Sequence, residues 1–163
     1  MLLENFYKII HIKEREDGKQ AIEIELNPGH VLYQGHFPGQ PVVPGVCTLQ
    51  IIKESAEQIA NQPLQYVQIA SSKFLSAINP LETPLLQLFI RLEKTEEHLF
   101  KLQAEGICNG KEFIKLKAVL MASKYPLNIL YSDNYKYDTY ENKIHNDYGC
   151  YCNICNKLEP PLF

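Results

Sequence analysis

One histidine, His36, stands inside a stiff loop: Gly35-His36-Phe37-Pro38-Gly39-Gln40-Pro41-Val42-Val43-Pro44-Gly45-Val46. Three prolines and three glycines in these twelve residues exclude both a helix and a central strand. Imidazole is the side chain whose ordinary pKa best suits proton transfer near neutral pH. His36 is therefore a candidate general base, with a turn-holding, hydrogen-bonding role as the alternative. The loop closes on Pro44-Gly45, a proline at a helix entry beside a residue without a side chain. Backbone N–H groups of Gly45 and Val46 would then lie at a helix N-terminus, where a developing oxyanion is stabilised. The alternative is an ordinary helix entry. Cys47 follows early in the helix, where a dipole lowers a thiol pKa, although a small buried filler is the simpler reading.

The elements that must position these groups are legible in the periodicities. Val46 to Asn61 reads as a helix, with Leu49, Ile52, Ala56 and Ile59 on one stripe, Ile51 and Ala60 widening it, and Pro63 closing the segment. Gln50, Lys53, Glu54, Glu57 and Asn61 fall together on another side. Before the loop, Phe6–Glu14 and Gln20–Leu26 alternate as strands joined through Asp17-Gly18, a hairpin signal. Asn27-Pro28-Gly29 then turns the chain into His30–Gln34. After the helix come four strand candidates. They are Gln65–Ile78, kinked at Ser71-Ser72, then Pro84–Lys94, His98–Ile107 and Lys111–Ser123, the last two joined by Asn109-Gly110. One long helix among antiparallel strands is an α+β layer architecture.

The loop and helix start, G-H-F-P-x-x-P-V-x-P-G-V in unbroken register, resemble the signature of the 3-hydroxyacyl-acyl-carrier-protein dehydratases of bacterial fatty-acid synthesis. With the flanking strands, the resemblance extends over roughly Met1 to Lys124. It implies a hotdog fold, a curved antiparallel sheet wrapped around one central helix. It also implies a lyase of lipid metabolism that removes water from 3-hydroxyacyl thioesters to give trans-2-enoyl thioesters, in fatty-acid or polyene synthesis, without metal or organic cofactor. Under it, His36 takes the Cα proton while the Gly45 and Val46 N–H groups hold the thioester carbonyl. The implied partners are an acyl-ACP or acyl-CoA substrate and a second hotdog subunit, in a dimer or an oligomer of dimers.

One position departs from the pattern. The family's acid, fourteen residues after the histidine and supplied in its dimers by the opposite subunit, falls here on Gln50. A neutral amide orients a water or a hydroxyl but does not deliver a proton at a useful rate. Three accounts stand side by side. Glu54, one turn further on, supplies the acid, against a reading in which it belongs to a solvated stripe with Glu57. Alternatively, His36 makes both proton transfers while Gln50 orients the hydroxyl. In the third account dehydration is lost, or occurs only in a mixed hotdog dimer whose other chain brings the carboxylate. A hotdog acyl thioesterase and a non-catalytic carrier-binding subunit are the competing functions.

Composition excludes several classes. The chain has 163 residues, 45% of them hydrophobic and 21% charged, with a formal net charge of −3, so it carries no nucleic-acid footprint. The first residues lack a signal-peptide pattern and no segment reaches the ~18 apolar residues of a membrane span, so a soluble, cytoplasmic protein is expected. Five cysteines do not suggest a disulfide framework. Lys111, Lys115 and Lys117, with Arg91 or Lys73, are candidates for docking an acidic carrier, although lysines on outer strand faces are commonplace. The expected organisation is a hotdog dehydratase-like domain over 1–124 and an irregular C-terminal extension over 125–163. The extension holds seven of the ten tyrosines and no valine. Its Cys150, Cys152 and Cys155, with His145 upstream, lack the second separated pair of a convincing zinc site, and loose thiols are the expected reading.

Overall fold

The computed structural model describes residues 3–35 and 39–123. His36, Phe37, Pro38 and the whole of 124–163, with its cysteines and His145, lie outside the described residues.

Strand β1 (Tyr7–Glu14) and strand β2 (Gln20–Leu26) form the first hairpin, closed as its Asp-Gly pair requires, with Gly18 at φ +77°. A 3-10 helix (Val31–Gln34) leads to the loop, and helix α1 (Gly45–Ala60) leaves it. Four strands follow: β3 (Leu64–Phe74), β4 (Leu85–Lys94), β5 (Leu99–Cys108) and β6 (Lys111–Ala122). They form one antiparallel sheet with β1 and β2 in the order β1-β2-β4-β5-β6-β3, so β1 and β3 are its edges. Asn109 and Gly110 turn β5 into β6 with φ +49° and +75°, the two positive angles of a tight hairpin turn.

The alternation read in the strands sets the core. Ile22, Ile24 and Leu26 of β2, Leu86, Leu88 and Ile90 of β4, Phe100, Leu102 and Ala104 of β5, and Ile114, Leu116 and Ala118 of β6 are all buried. Helix α1 packs on this face through Ile51, Ile52 and Ala56. Burying each of its isoleucines contributes about 1.5–3 kcal/mol. Phe113 is also inside, although its place in the alternation points it outward. The register of β5 and β6 shifts at Gly106/Ile107, and the Phe113 ring occupies the space where a Gly106 Cβ would stand, 2.3 Å from its Cζ.

Three local expectations shift. The helix ends at Ala60, because Asn61 is its left-handed cap at φ +52° with its N–H on the Glu57 carbonyl. Strand β3 stops at Phe74 instead of running to Ile78. There the chain leaves the edge: the Leu75 N–H bonds to the Phe113 carbonyl, and the Ile78 carbonyl accepts the Val43 N–H of the loop. A register shift between Ile69 and Ser71 lies beside the expected kink. Finally, the polar side of α1 is not a solvated stripe. Lys53 and Glu54 are 8% and 5% exposed. The sheet curls round the helix far enough to cover that side. Lys53 Nζ meets Glu57 Oε1 at 2.7 Å and the Leu64 carbonyl at 3.2 Å, and the same Glu57 oxygen accepts the Leu64 N–H, tying the helix end to β3.

Candidate active site

The site is built around the first three turns of α1. Pro44, extended at φ −62° and ψ 143°, precedes the helix, and no side chain caps it. The Cys47 and Thr48 N–H groups return to the Pro44 carbonyl at 3.0 and 3.1 Å. The Gly45 and Val46 N–H groups precede them and have no partner among the described residues. Here two donors and the positive end of a 16-residue helix point the same way. The Phe74 ring lies against Gly45, with its Cζ 3.1 Å from where a Cβ would stand. Glycine thus lets an aromatic wall approach the donors. Val46, with 55% of its surface exposed, forms the open side.

One and two turns below, Gln50 and Glu54 face the same direction. Gln50 is half-buried and its Nε2 donates to Glu54 Oε1 at 2.9 Å. Because a carboxylate oxygen only accepts, this contact fixes which end of the amide is NH2 and leaves the Gln50 Oε1 to act as an acceptor. The other Glu54 oxygen accepts the hydroxyl of Tyr7, which reaches in from β1. The described partners of Glu54 are therefore a phenol and an amide, both donating. Burial above all, then the hydrogen bond and the negative charge of Glu54, push the Tyr7 hydroxyl well above the ordinary tyrosine range, so it stays the proton donor of the pair.

The approach to His36 is held from the same corner. His30 precedes the 3-10 helix; its Nδ1 accepts the Leu32 N–H and its Nε2 donates to the Glu4 carbonyl, each at 3.1 Å. Phe6 stacks edge-on against His30 and tilted against Tyr33. Tyr33 is buried, its hydroxyl has no partner among the described residues, and burial raises its pKa. Residues at the start of β1 thus brace both the loop stem, through Phe6, and the helix carboxylate, through Tyr7. Tyr7 also lines a cleft of about 640 Å³ with Asn5, Lys8, Glu25 and Leu26.

Of the expected site residues, Gly45, Val46, Gln50 and Glu54 all lie on α1, where Gln50 and Glu54 are in contact, while His36 lies outside the described residues. Tyr7 had no signal in the sequence, since its contact with Glu54 spans 47 residues. Cys47 is buried and its thiol pKa is raised by that burial, which fits a packing residue and not an activated nucleophile. Among the described residues no cluster of potential ligands could hold a metal ion. Arg91 is committed to the first hairpin through the Asp17 carbonyl at 2.7 Å. Lys73 and Lys115 face each other across β3 and β6, both exposed, with exposed Lys117 further along the same face of β6.

A sheet wrapped round one helix, with an uncapped helix start after a proline-rich loop, defines a hotdog-fold protein. Solved structures share that fold. The dehydratase heterocomplex ApeI:P from Xenorhabdus doucetiae superposes with a TM-score of 0.56 at 23% identity, over 70% of this chain and 96% of that one. A hypothetical thioesterase with coenzyme A from Streptococcus pneumoniae gives 0.53 at 10% identity, over 72% and 85%. Among curated relatives, the 3-hydroxyacyl-[acyl-carrier-protein] dehydratase FabZ of Lactobacillus helveticus is 29% identical over 106 residues, 53% of this chain and 70% of that protein. FabZ of Herpetosiphon aurantiacus is 29% identical over 113 residues, 64% and 79%. The family model described as ApeI dehydratase matches residues 12–111, more than half of the chain. The protein belongs to the ApeI-like dehydratase family.

Proposed function

We propose that this protein is a hydro-lyase that interconverts 3-hydroxyacyl and trans-2-enoyl thioesters carried by acyl carrier protein, in fatty-acid or polyene synthesis. The observation that carries this reading is the buried Glu54 carboxyl, joined to Gln50 one turn above it and set below two N–H groups without a partner among the described residues. That supplies a carboxyl group near the position where the substitution at Gln50 removes one. Family membership adds the reaction class.

In the proposed reaction the thioester carbonyl rests on the Gly45 and Val46 N–H groups, which stabilise the enolate. Each such donor is worth ~2.7–4 kcal/mol in a transition state. His36 takes the Cα proton. The Cα electron pair forms the C=C bond as the C3–O bond breaks, and the departing hydroxide takes a proton from Glu54 and leaves as water. Gln50 Oε1, oriented by the Glu54 contact, accepts from the 3-hydroxyl and holds it. No metal or organic cofactor enters this scheme.

The assembly we propose is a dimer of hotdog subunits, of one kind or mixed. Strand β3 is a sheet edge, whose outward backbone groups a second subunit's edge would cover. By the resemblance, Gln50 and Glu54 of one subunit serve the His36 of the other. The Lys73–Lys115–Lys117 face is the proposed dock for the acidic carrier, and residues 1–124 are the proposed catalytic domain of a soluble, cytoplasmic enzyme. None of the described helices is long and apolar enough to cross a membrane.

Purified protein incubated with a trans-2-enoyl thioester tests the reading. Formation of the 3-hydroxyacyl thioester without free thiol supports it. Release of thiol makes the protein a thioesterase, and binding without either product makes it a carrier-binding subunit.

A further inference from the structure

We infer that Tyr7 is a positioning residue for the reaction: its hydroxyl, reaching from β1 across to α1, holds the Glu54 carboxyl where Gln50 meets its other oxygen. The inference rests on the dehydratase reading above and adds a residue to it. With one donor on each oxygen, the plane of the Glu54 carboxyl is fixed by Tyr7 and Gln50 together. Tyr7 is 5% exposed and Glu54 equally so, so water does not compete for the contact. Phe6, the residue before Tyr7, packs on His30 and Tyr33 and so fixes the approach of this segment to α1.

The hydroxyl also sets when Glu54 carries a proton. A donor that bonds to the ionised form favours that form, so removing it makes the carboxyl hold its proton to higher pH. The titratable groups near it among the described residues come from its own helix, from β1 and from β3. Tyr7 faces it from β1; Gln50, Lys53 and Glu57 share its helix; Tyr66 of β3 stands near Glu57, whose charge raises the Tyr66 pKa after burial does. Lys53 is held by Glu57 and the Leu64 carbonyl. Tyr66 donates to the Leu49 carbonyl at 2.8 Å and serves as the structural control, a half-buried phenol of β3 whose hydroxyl is on that carbonyl and not on Glu54.

The test compares wild type, Tyr7→Phe and Tyr66→Phe in two measurements on the full chain. The first is a carboxyl-carbon NMR titration with labelled glutamate, in which the Glu54 signal is the one absent from Glu54→Gln. The second is the pH profile of kcat/KM for hydration of a trans-2-enoyl thioester. Tyr7→Phe is expected to move the Glu54 midpoint up by about one pH unit, a tenfold change in proton affinity. The acidic limb of the rate profile should move by the same amount, while Tyr66→Phe moves neither. An unmoved midpoint in Tyr7→Phe overturns the inference, as does an equal shift in Tyr66→Phe. A midpoint that moves while the rate limb stays still also overturns it. An inactive wild type would refute the dehydratase reading, and with it Tyr7's part in a reaction, whereas the NMR titration separately reports whether Tyr7 holds the carboxyl.

Discussion

Replacing Glu54 by glutamine preserves the shape of the side chain and removes its charge and its transferable proton. Today the two carboxyl oxygens accept from Tyr7 and from Gln50. The new amide has one oxygen and one NH2. Turned over by 180°, the Gln50 amide presents its Oε1 to the new NH2 while the new oxygen keeps the Tyr7 hydroxyl, so both contacts re-form between neutral groups. Exchanging charge-assisted for neutral hydrogen bonds costs ~1 kcal/mol per contact, which a urea titration resolves. The effect on rate is larger. Losing a general acid lowers a rate by ~10²–10⁴, equivalent to about 2.7–5.4 kcal/mol in the barrier at 1.36 kcal/mol per tenfold. Hydration of a trans-2-enoyl thioester, followed by loss of its conjugated absorbance, should show the decrease in kcat with KM little changed, since the proton moves only in the transition state. An undiminished kcat in a folded Glu54→Gln protein would refute the assignment and leave His36 to make both transfers.

Other consequences are independent of that one. Gly106→Ala should destabilise by at least ~1–3 kcal/mol, because its Cβ would stand 2.3 Å from Phe113 Cζ, and Phe113→Leu in the same chain should recover part of the loss; urea midpoints of the single and double variants check both. Burial raises the folded-state pKa of Tyr7, Tyr33 and Tyr66 above the ordinary 10.0. Their protonated forms therefore contribute stability that is whole below pH 10 and is lost as pH rises beyond it, when the unfolded chain ionises first. Unfolding free energies measured on both sides of that pH should fall on the alkaline side, and less steeply in Tyr66→Phe. If each site combines two subunits, co-expressed His36→Ala and Glu54→Ala chains should form mixed dimers that regain hydration activity absent from either alone; no recovery in isolated mixed dimers would place both groups within one chain.

Much of the fold was legible because its signals are local. Asp17-Gly18 and Asn109-Gly110 encode their turns in the backbone angles those residues tolerate, and the alternation in β2, β4 and β5 names the buried face directly. The helix was legible to within a residue at each end, and among the described residues no side chain caps its Pro44 start. What escaped reading is non-local. A charged pattern such as Lys53, Glu54 and Glu57 normally marks a wet face, and only the wrapping of the sheet turns it into a buried network. Tyr7 is one aromatic at the start of a mixed, largely exposed strand, with nothing nearby to say that its hydroxyl meets a carboxyl 47 residues away. Phe113 turns inward because Gly106, on the neighbouring strand, leaves the space.

The account stands most directly on the imidazole of His36 as the base. Wild-type protein and His36→Ala, each shown to be folded, are to be compared in the hydration of one trans-2-enoyl thioester with the 3-hydroxyacyl product quantified. The expected result is product from wild type and a loss of ~10²–10⁴ in kcat/KM for His36→Ala. Equal rates in the two proteins would contradict the account.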